Sequence, residues 1–439
     1  MPASSCDLII DADWILPIVP AGSVLQSASI AVADGRILRL GDRELIHGEF
    51  QAEEVHTLPG HALLPGLVNA HGHAAMSLLR GFAEDAPLEN WLSDHIWPTE
   101  ARHVDADFVR DGARLAMAEM LKTGTTCFSD MYFFPETTAA EARAAGMRAQ
   151  IAFPVIEFPN AWSASSDEGF HKGLALHDDY RRDPLVRIAF GPHATYSVSE
   201  SDLQRILVYS EELDAHVQIH LHETAREVAE AHDRVGMSWL RYLDERGLLG
   251  PNLQAVHATH LDDAEIDLLA ENNAHVVHCP LSNLKLASGI CATTTLLARG
   301  VNVALGTDGA ASNNGLDLLL EARLATLLAK LKDGDAGALP AHRALEMATL
   351  GGARALGLEA EIGSLEPGKA ADMVAVDLTG LKYQPLFDPV AQLVHTTSGD
   401  GVAHAWVAGR QLLQDGRLCT LEEDAILRAV SEWRERISG

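Results

Sequence analysis

At 439 residues the chain is long enough for two or three domains, or for one α/β barrel with additions. Its 47% hydrophobic and 22% charged residues are those of a folded chain with a large core. The 33 basic and 62 acidic residues give a net charge of -29, which works against binding a phosphate backbone and suits a neutral or cationic small molecule better.

The first residues, MPASSCDLIIDADWIL, have no basic stretch before their apolar part and carry Asp7, Asp11 and Asp13 within it, so they do not read as a signal peptide. From residue 6 to about 60, short apolar runs (Leu8 to Ile10, Ser29 to Val32, Ile37 and Leu38) alternate with turn residues such as Asp34 and Gly35, which predicts a small antiparallel β unit. A matching pattern returns near the other end, where Ala371 to Val376 and Ala405 to Gly409 flank turns at Pro367-Gly368 and Asp415-Gly416. The two ends are therefore expected to pair into one β-sandwich, residues 1–61 with 363–439. The middle, 62–362, should then fold as an inserted domain.

That middle begins with LPGLVNAHGH, Leu64 to His73, in which a run suited to a buried strand ends in two imidazoles spaced two apart. Side chains alternate along a strand, so His71 and His73 should share a face. Seven further strand candidates follow: Thr125 to Phe128, Ala149 to Phe153, Val186 to Phe190, Val217 to His220, Leu253 to His257, His275 to His278 and Val301 to Leu305. Helical patterns separate them, such as Ala113, Ala116, Met117, Met120 and Leu121, closed by Gly124. Eight such units without a G-x-G-x-x-G predict a (β/α)8 barrel rather than a dinucleotide-binding sheet. The Ser-, Pro- and Asn-bearing segment 157–169 reads as exposed and long enough for a lid or rim element, and residues 340–357 as one long closing helix.

In such a barrel, reactive groups sit at the C-terminal ends of strands. Metal-competent residues recur there: His193 after the fourth strand, His220 and Glu223 at the fifth, His257 at the sixth, Asp308 after the eighth. Five cysteines (Cys6, Cys127, Cys279, Cys291, Cys419) lie far apart with no CxxC, which fits reduced thiols in the cytoplasm and disfavours a thiolate site. No apolar run reaches the roughly 18 to 20 residues of a membrane span.

With LPGLVNAHGH, IHLHE (Ile219 to Glu223) and LGTDG (Leu305 to Gly309), the chain resembles the amidohydrolase superfamily, in its branch with a single metal; no Lys occurs between Val186 and Ala194, where binuclear members place a carboxylated lysine. The resemblance implies that His71, His73, His220 and Asp308 hold one divalent ion, with Zn²⁺ favoured over iron or manganese. A closer resemblance, to 5′-methylthioadenosine/S-adenosylhomocysteine deaminases, rests on Met76 to Asp85 (MSLLRGFAED), Trp91, Trp97 to Glu100 (WPTE), Gly191 to Tyr196 (GPHATY) and His278 to Leu286 (HCPLSNLKL). It implies a small-molecule nucleoside substrate, with Glu100 on the ribose hydroxyls and His193 near ribose and base.

The residue types suit hydrolytic deamination of an adenine ring. Asp308 can take a proton from water, His257 can orient the resulting hydroxide, and a protonated Glu223 can deliver its proton to ring N1, with Asp308 and Glu223 also in contact with substrate. Alternatives stay open at several positions. His222 would share the face of His220 if the strand ran on, and His260 could replace His257. His275 and His278 flank the seventh strand, Glu84 and Asp85 could simply order a turn, Trp91 and Trp97 could wall a nucleoside or pack a loop, and Cys279 reads as a small buried thiol. The resemblance implies arginines in the loop after the third strand of members that accept S-adenosylhomocysteine well, suited to its carboxylate. The segment from Ile156 to Lys172 departs from this, with only His171 and Lys172, so a preference for 5′-methylthioadenosine is expected, with adenosine intermediate. Guanine-type deamination and triazine hydrolysis are the competing chemistries. A homodimer or tetramer is expected, with neither nucleic acid nor membrane as partner.

Overall fold

The structure, a computed structural model, describes residues 3–439. Eight parallel strands follow one another around a barrel: Leu67–Asn69, Thr125–Met131, Arg148–Val155, Val186–Pro192, Val217–Leu221, Leu253–His257, His275–His278 and Asn302–Leu305. Each pairs in parallel with its sequence neighbours, and the ring closes where the Ala70 N–H donates to the Leu305 carbonyl at 2.9 Å. All eight expected strands are present, with ends moved by a few residues.

Helices cover the outer face. Ala106–Lys122 starts at Asp105, whose carboxylate accepts the Phe108 N–H at 2.8 Å, and it buries Ala113, Ala116, Met117, Met120 and Leu121, the face its periodicity predicts. The barrel interior is partly polar. Gln150, Gln218 and Gln254 meet there, the Gln254 Oε1 accepting from Gln218 at 2.7 Å and from Gln150 at 3.0 Å. Such groups are tolerated in a core only when each finds partners.

The two ends of the chain meet in a second sheet of eight strands, hydrogen-bonded throughout. Its centre departs from the antiparallel expectation: Phe50–Pro65 runs parallel to Ser4–Ile15. A parallel pair needs a crossover. The strands Leu25–Ala33 and Arg36–Asp42 supply it together with the helix Arg43–Glu49, whose first amides are held by the Asp42 carboxylate. Met373–Asp377 then pairs antiparallel with the last residues of Phe50–Pro65, joining the C-terminal strands to the N-terminal ones. The outer strand curls back, with Ile37 N–H donating to Lys369 O and Ala371 N–H to Gly35 O, both at 2.9 Å. One core, including Leu8, Ile10, Ile30, Leu63, Met373 and Trp406, fills the resulting fold.

A buried bidentate pair, Arg148 to Asp372 at 2.9 and 3.2 Å, ties this sheet to the third barrel strand. The last helix, Glu423–Ser438, docks through Trp433, edge-on to Phe108 and donating to Asp111 at 3.0 Å.

Two expectations need amendment. Residues 340–357 are not one regular helix: Ala341–Glu346 and Gly352–Ala355 flank a widened turn, Met347–Gly351, where the Asn302 side chain takes the Gly351 carbonyl at 2.9 Å. The 157–169 segment is not simply exposed, because Trp162 is buried within it and donates to Glu136 at 3.0 Å.

Candidate active site

The stretch carrying His71 and His73 leaves the first strand and continues between its neighbours. Asp308 N–H donates to His71 O at 3.1 Å and Met131 N–H to Gly72 O at 3.0 Å, so the ladder persists to the mouth of the barrel. Gly306 permits this approach: a Cβ there would lie 3.0 Å from the His71 backbone nitrogen. At the same mouth, His257 (φ 74°) and Asp308 (φ 61°) are left-handed without being glycine. Held strain of this kind turns side chains off the strand line and concentrates at functional sites.

Four imidazoles are oriented by the same device. The His73 Nδ1 donates to Met131 O at 2.6 Å and the His220 Nδ1 to His193 O at 2.7 Å. Carbonyl oxygens only accept, which fixes these tautomers. The His71 Nδ1 meets Gln218 Oε1 at 2.8 Å, and the amide nitrogen of that glutamine is spent on Ala70 O at 2.9 Å and on Gln254. His257 Nδ1 donates to Asn283 Oδ1 at 2.9 Å.

With every Nδ1 committed, the Nε2 lone pairs of His71, His73, His220 and His257 are left facing the mouth. His71 and His220 bring theirs to 3.2 Å, His71 lies 3.4 Å and His73 3.1 Å from Asp308 Oδ1. Ligand atoms of His71, His73 and Asp308 all lie within 4.8 Å of one another, as do those of His71, His220 and His257. Lone pairs so placed repel one another, and a cation between them resolves the conflict. The three spacings between His71 and His220, His71 and Asp308, and His73 and Asp308 are close to the separation, about 3.3 Å, of two ligand atoms on one metal ion with bonds of about 2.0–2.1 Å. Nitrogen and carboxylate donors suit a divalent ion, with the Nδ1 partners as the supporting shell.

Burial lowers the pKa of His71, His220 and His257, keeping them in the neutral form that coordinates. Burial also opposes the proton on His73, but the adjacent Asp308 carboxylate lifts it to about 9, a proton that a bound cation displaces. Asp308 itself is held well below its usual range by His71 and His73 despite its burial. Its second oxygen, Oδ2, accepts from Ser282 at 2.6 Å and Ser312 at 2.8 Å, so the oxygen expected to be spare already has two donors.

Glu223 sits beside this cluster, with Oε2 3.7 Å from His257 Nε2 and Oε1 accepting from Ser288 at 3.0 Å. Burial, and then the charge of Asp308, push its pKa up to about 8. At neutral pH it is a proton donor.

His193 lines the same space, its ring centroid 5.1 Å from that of His220. Glu100 lies near His73. It accepts from Tyr132 at 2.5 Å, the Tyr132 ring lies 6.4 Å from that of His73, and burial lifts the carboxyl to about 7.

His222 does not share the site. The strand ends at Leu221, His222 turns left-handed (φ 53°), and its nitrogens go to His260 O at 2.9 Å and to the Leu240 N–H at 3.3 Å. His260 is spent on Ser288 O at 2.8 Å, and His275 on Pro251 O at 3.0 Å. His278 and Cys279 are buried. Glu84 pairs with Lys285 at 2.9 Å and with Asn314 at 3.0 Å, ordering its loop, and Asp85 turns left-handed beside it. Trp91 is buried and donates to Ala83 O at 3.2 Å, whereas Trp97 is exposed.

The supporting residues Gln218, Asn283, Ser282, Ser312 and Ser288 were not singled out from the sequence. Two signals were available: Gln218 lies two residues before His220 on one strand face, and Ser282 and Asn283 fall inside HCPLSNLKL.

Residues 62–412 match the amidohydrolase family. The chain is 51% identical over 436 residues to a 5-methylthioadenosine/S-adenosylhomocysteine deaminase of Teredinibacter turnerae, covering 99% of each chain. It is 40% identical to a 5′-deoxyadenosine deaminase of Methanothermobacter thermautotrophicus, covering 96% of this chain and 97% of that one. A crystal structure of an adenosine deaminase from Xanthomonas campestris with bound zinc superposes with a TM-score of 0.99 at 45% identity, over 100% of both chains. Extent and identity together place this chain in the amidohydrolase family.

Proposed function

We propose that the protein hydrolyses the 6-amino group of an adenine nucleoside, 5′-methylthioadenosine foremost, to give the inosine analogue and ammonia. The observation that carries this reading is the pair of donor groups that share His71 at the barrel mouth, His71 with His73 and Asp308 and His71 with His220 and His257, with the protonated Glu223 beside them. The relatives acting on adenine nucleosides supply the substrate class. His71, His73, His220 and Asp308 hold one divalent ion, Zn²⁺ in this reading, as in the zinc-bound neighbour. When bound, that ion makes hydroxide available near neutral pH by lowering the pKa of water to about 7.

The protein's own groups do the rest. His257, its Nδ1 anchored on Asn283, presents Nε2 to orient the attacking oxygen toward C6. Asp308 receives on Oδ2 the proton that water gives up, and one of the two serine hydroxyls there, Ser282 or Ser312, turns from donating to accepting. Glu223 protonates N1, which turns the ring into an electron sink. Asp308 then passes the proton it took from water to the amino group, which leaves as ammonia, and Glu223 takes back the proton of the C6 hydroxyl, so that both carboxyl groups return to their starting forms. Water thus contributes its oxygen to C6 and its hydrogens to the product and the departing ammonia. Glu100, oriented by Tyr132, holds the ribose hydroxyls, and His193 borders ribose and base.

Substrates with a terminal carboxylate are disfavoured. Lys172, the one cation between Ile156 and Lys172 apart from a histidine, is occupied by the Trp162 carbonyl at 2.6 Å and by Glu168 at 2.7 Å. Residues 62–362 act as the catalytic unit, with 1–61 and 363–439 as its companion sheet. The protein works in the cytoplasm as a homodimer or tetramer; Leu381 and Phe387, 95% and 91% exposed, offer apolar surface for a second copy. Among the described residues no helix is long and apolar enough to cross a membrane.

The decisive experiment pairs metal analysis with the ultraviolet change from adenine to hypoxanthine on 5′-methylthioadenosine, adenosine, S-adenosylhomocysteine and guanine. The expected order of kcat/KM is methylthioadenosine, adenosine, S-adenosylhomocysteine, with guanine inert. A metal-replete sample inert on all adenine nucleosides would overturn the function, and equal or better kcat/KM on S-adenosylhomocysteine would overturn the order.

A further inference from the structure

The segment Ser288-Gly289, after the seventh barrel strand, is pressed against the loops that follow the fifth and sixth strands. His260 Nε2 donates to Ser288 O at 2.8 Å, and Ser288 N–H donates to Asn283 O at 2.9 Å. Gly289 (φ 150°) lies so near that a Cβ would come 2.7 Å from Thr259 Oγ1 and 2.9 Å from His260 Nε2. The helix Ala225–Val235 and the loops that follow the sixth and seventh strands therefore meet at Glu223, and each holds a different part of it. Glu227 accepts the Glu223 N–H at 2.7 Å, Thr259 donates to the Glu223 carbonyl at 2.7 Å, and Ser288 donates to Oε1 at 3.0 Å.

Rotation about the last side-chain bond of a glutamate is broad and roughly two-fold and exchanges the two oxygens of its carboxyl group. A protonated carboxyl is one O–H donor and one carbonyl acceptor, so that exchange moves the proton. Ser288 is 5% exposed, and Glu223 Oε1 is the only side-chain or backbone acceptor that its hydroxyl meets among the described residues. Were the hydroxyl to accept from Glu223 instead, its own hydrogen would be buried without a partner, which is costly.

We infer that Ser288 is a positioning residue that decides which oxygen of Glu223 carries the proton: by donating to Oε1 it places the proton on Oε2, the oxygen that faces His257 and the converging imidazoles. The proton that leaves for the ring nitrogen then starts from the correct side in every turnover, and Oε2 is where it returns. Without Ser288 the carboxyl populates both orientations and one of them presents no proton. Ser288 thus acts on the chemical step through Glu223 and touches neither metal ligand nor ribose contact.

The inference rests on Glu223 being the acid. The test compares Ser288→Ala, Ser288→Thr and Glu223→Gln as full-length, metal-loaded enzymes on 5′-methylthioadenosine, with metal content measured for each. Ser288→Ala is expected to lower kcat about tenfold with KM within about twofold and metal content unchanged, and Ser288→Thr, which keeps the hydroxyl, to recover most of that loss. Unchanged kcat in Ser288→Ala, a loss matched by loss of metal, or no recovery in Ser288→Thr overturns the inference. If the alanine variant fails to fold, Ser288→Cys, nearly isosteric with a weak donor, carries the same expectation of reduced kcat at constant KM, and full turnover overturns it. Turnover by metal-loaded Glu223→Gln would remove the acid reading itself; an inactive Glu223→Gln beside a fully active Ser288→Ala removes only the role of Ser288.

Discussion

Histidines crowd together in two places, the barrel mouth and the sheet built from the chain ends, with opposite consequences. In the sheet, the ring of His404 lies 6.4 Å from His56, 5.9 Å from His61 and 5.6 Å from Trp406, on which it stacks. Their nitrogens diverge: His56 goes to Glu54 at 2.9 Å, His61 to the Pro59 carbonyl at 2.9 Å, and His404 to Gln411 at 3.2 Å. At the mouth the rings are closer, 4.8 Å for His71 with His73 and 4.9 Å for His71 with His220, and there the outward nitrogens are tethered so that the inward ones converge. Among the described residues, only the mouth brings three such donors within ligating reach of one another. A centre is therefore made by the partners of Nδ1 at least as much as by the imidazoles, since they decide where the remaining lone pair points.

That contrast can be broken at three strengths. The largest effect is expected from Glu223→Gln, which keeps the shape of the mouth and removes its acid: kcat on 5′-methylthioadenosine should fall by about 10² to 10⁴ with metal fully retained. The same group sets a pH limb. Its pKa is raised to about 8, so its proton is present below that pH and lost above it. Turnover should decline as pH rises through about 8, and a rate indifferent to pH across that value would disqualify Glu223 as the donor. Next, Gln218→Leu removes the tether of His71 while leaving every donor atom of the mouth in place. Metal affinity, read by competition with a chelator, should weaken about 10- to 100-fold, and undiminished affinity would mean that His71 needs no tether. The smallest effect belongs to the other cluster: His404→Leu should leave metal content and kcat unchanged and lower unfolding stability by about 0.5–1.5 kcal/mol through the lost stack on Trp406. Loss of metal in that variant would show that the two clusters are not independent.

Local signals carried much of the architecture. Short, nearly continuous apolar runs marked the eight barrel strands, and the 3.6-residue period around Ala113 to Leu121 marked the buried face of its helix, because burial on both faces of a strand and on one face of a helix acts directly on the residues. The chain's two ends could be matched for the same reason. The parallel course of Phe50–Pro65 could not, since strand direction depends on how Asp42 and the following helix turn the chain and not on which residues are apolar. The widened turn at Met347–Gly351 and the anchoring of Trp162 were hidden in a similar way: each depends on a partner remote in sequence, Asn302 in one case and Glu136 in the other.

By itself the sequence determined that His71, His73, His193, His220, Glu223, His257 and Asp308 stand at or just beyond the ends of barrel strands, because the apolar runs that mark strands are local properties. Only the tertiary structure decided how they are used. It turned His222 away through a left-handed residue, occupied the second oxygen of Asp308 with Ser282 and Ser312, and enlisted Gln218, Asn283 and Ser288 as tethers. Hydrogen-bond direction and desolvation arise between segments that meet only when the barrel closes, so no single stretch of chain encodes them.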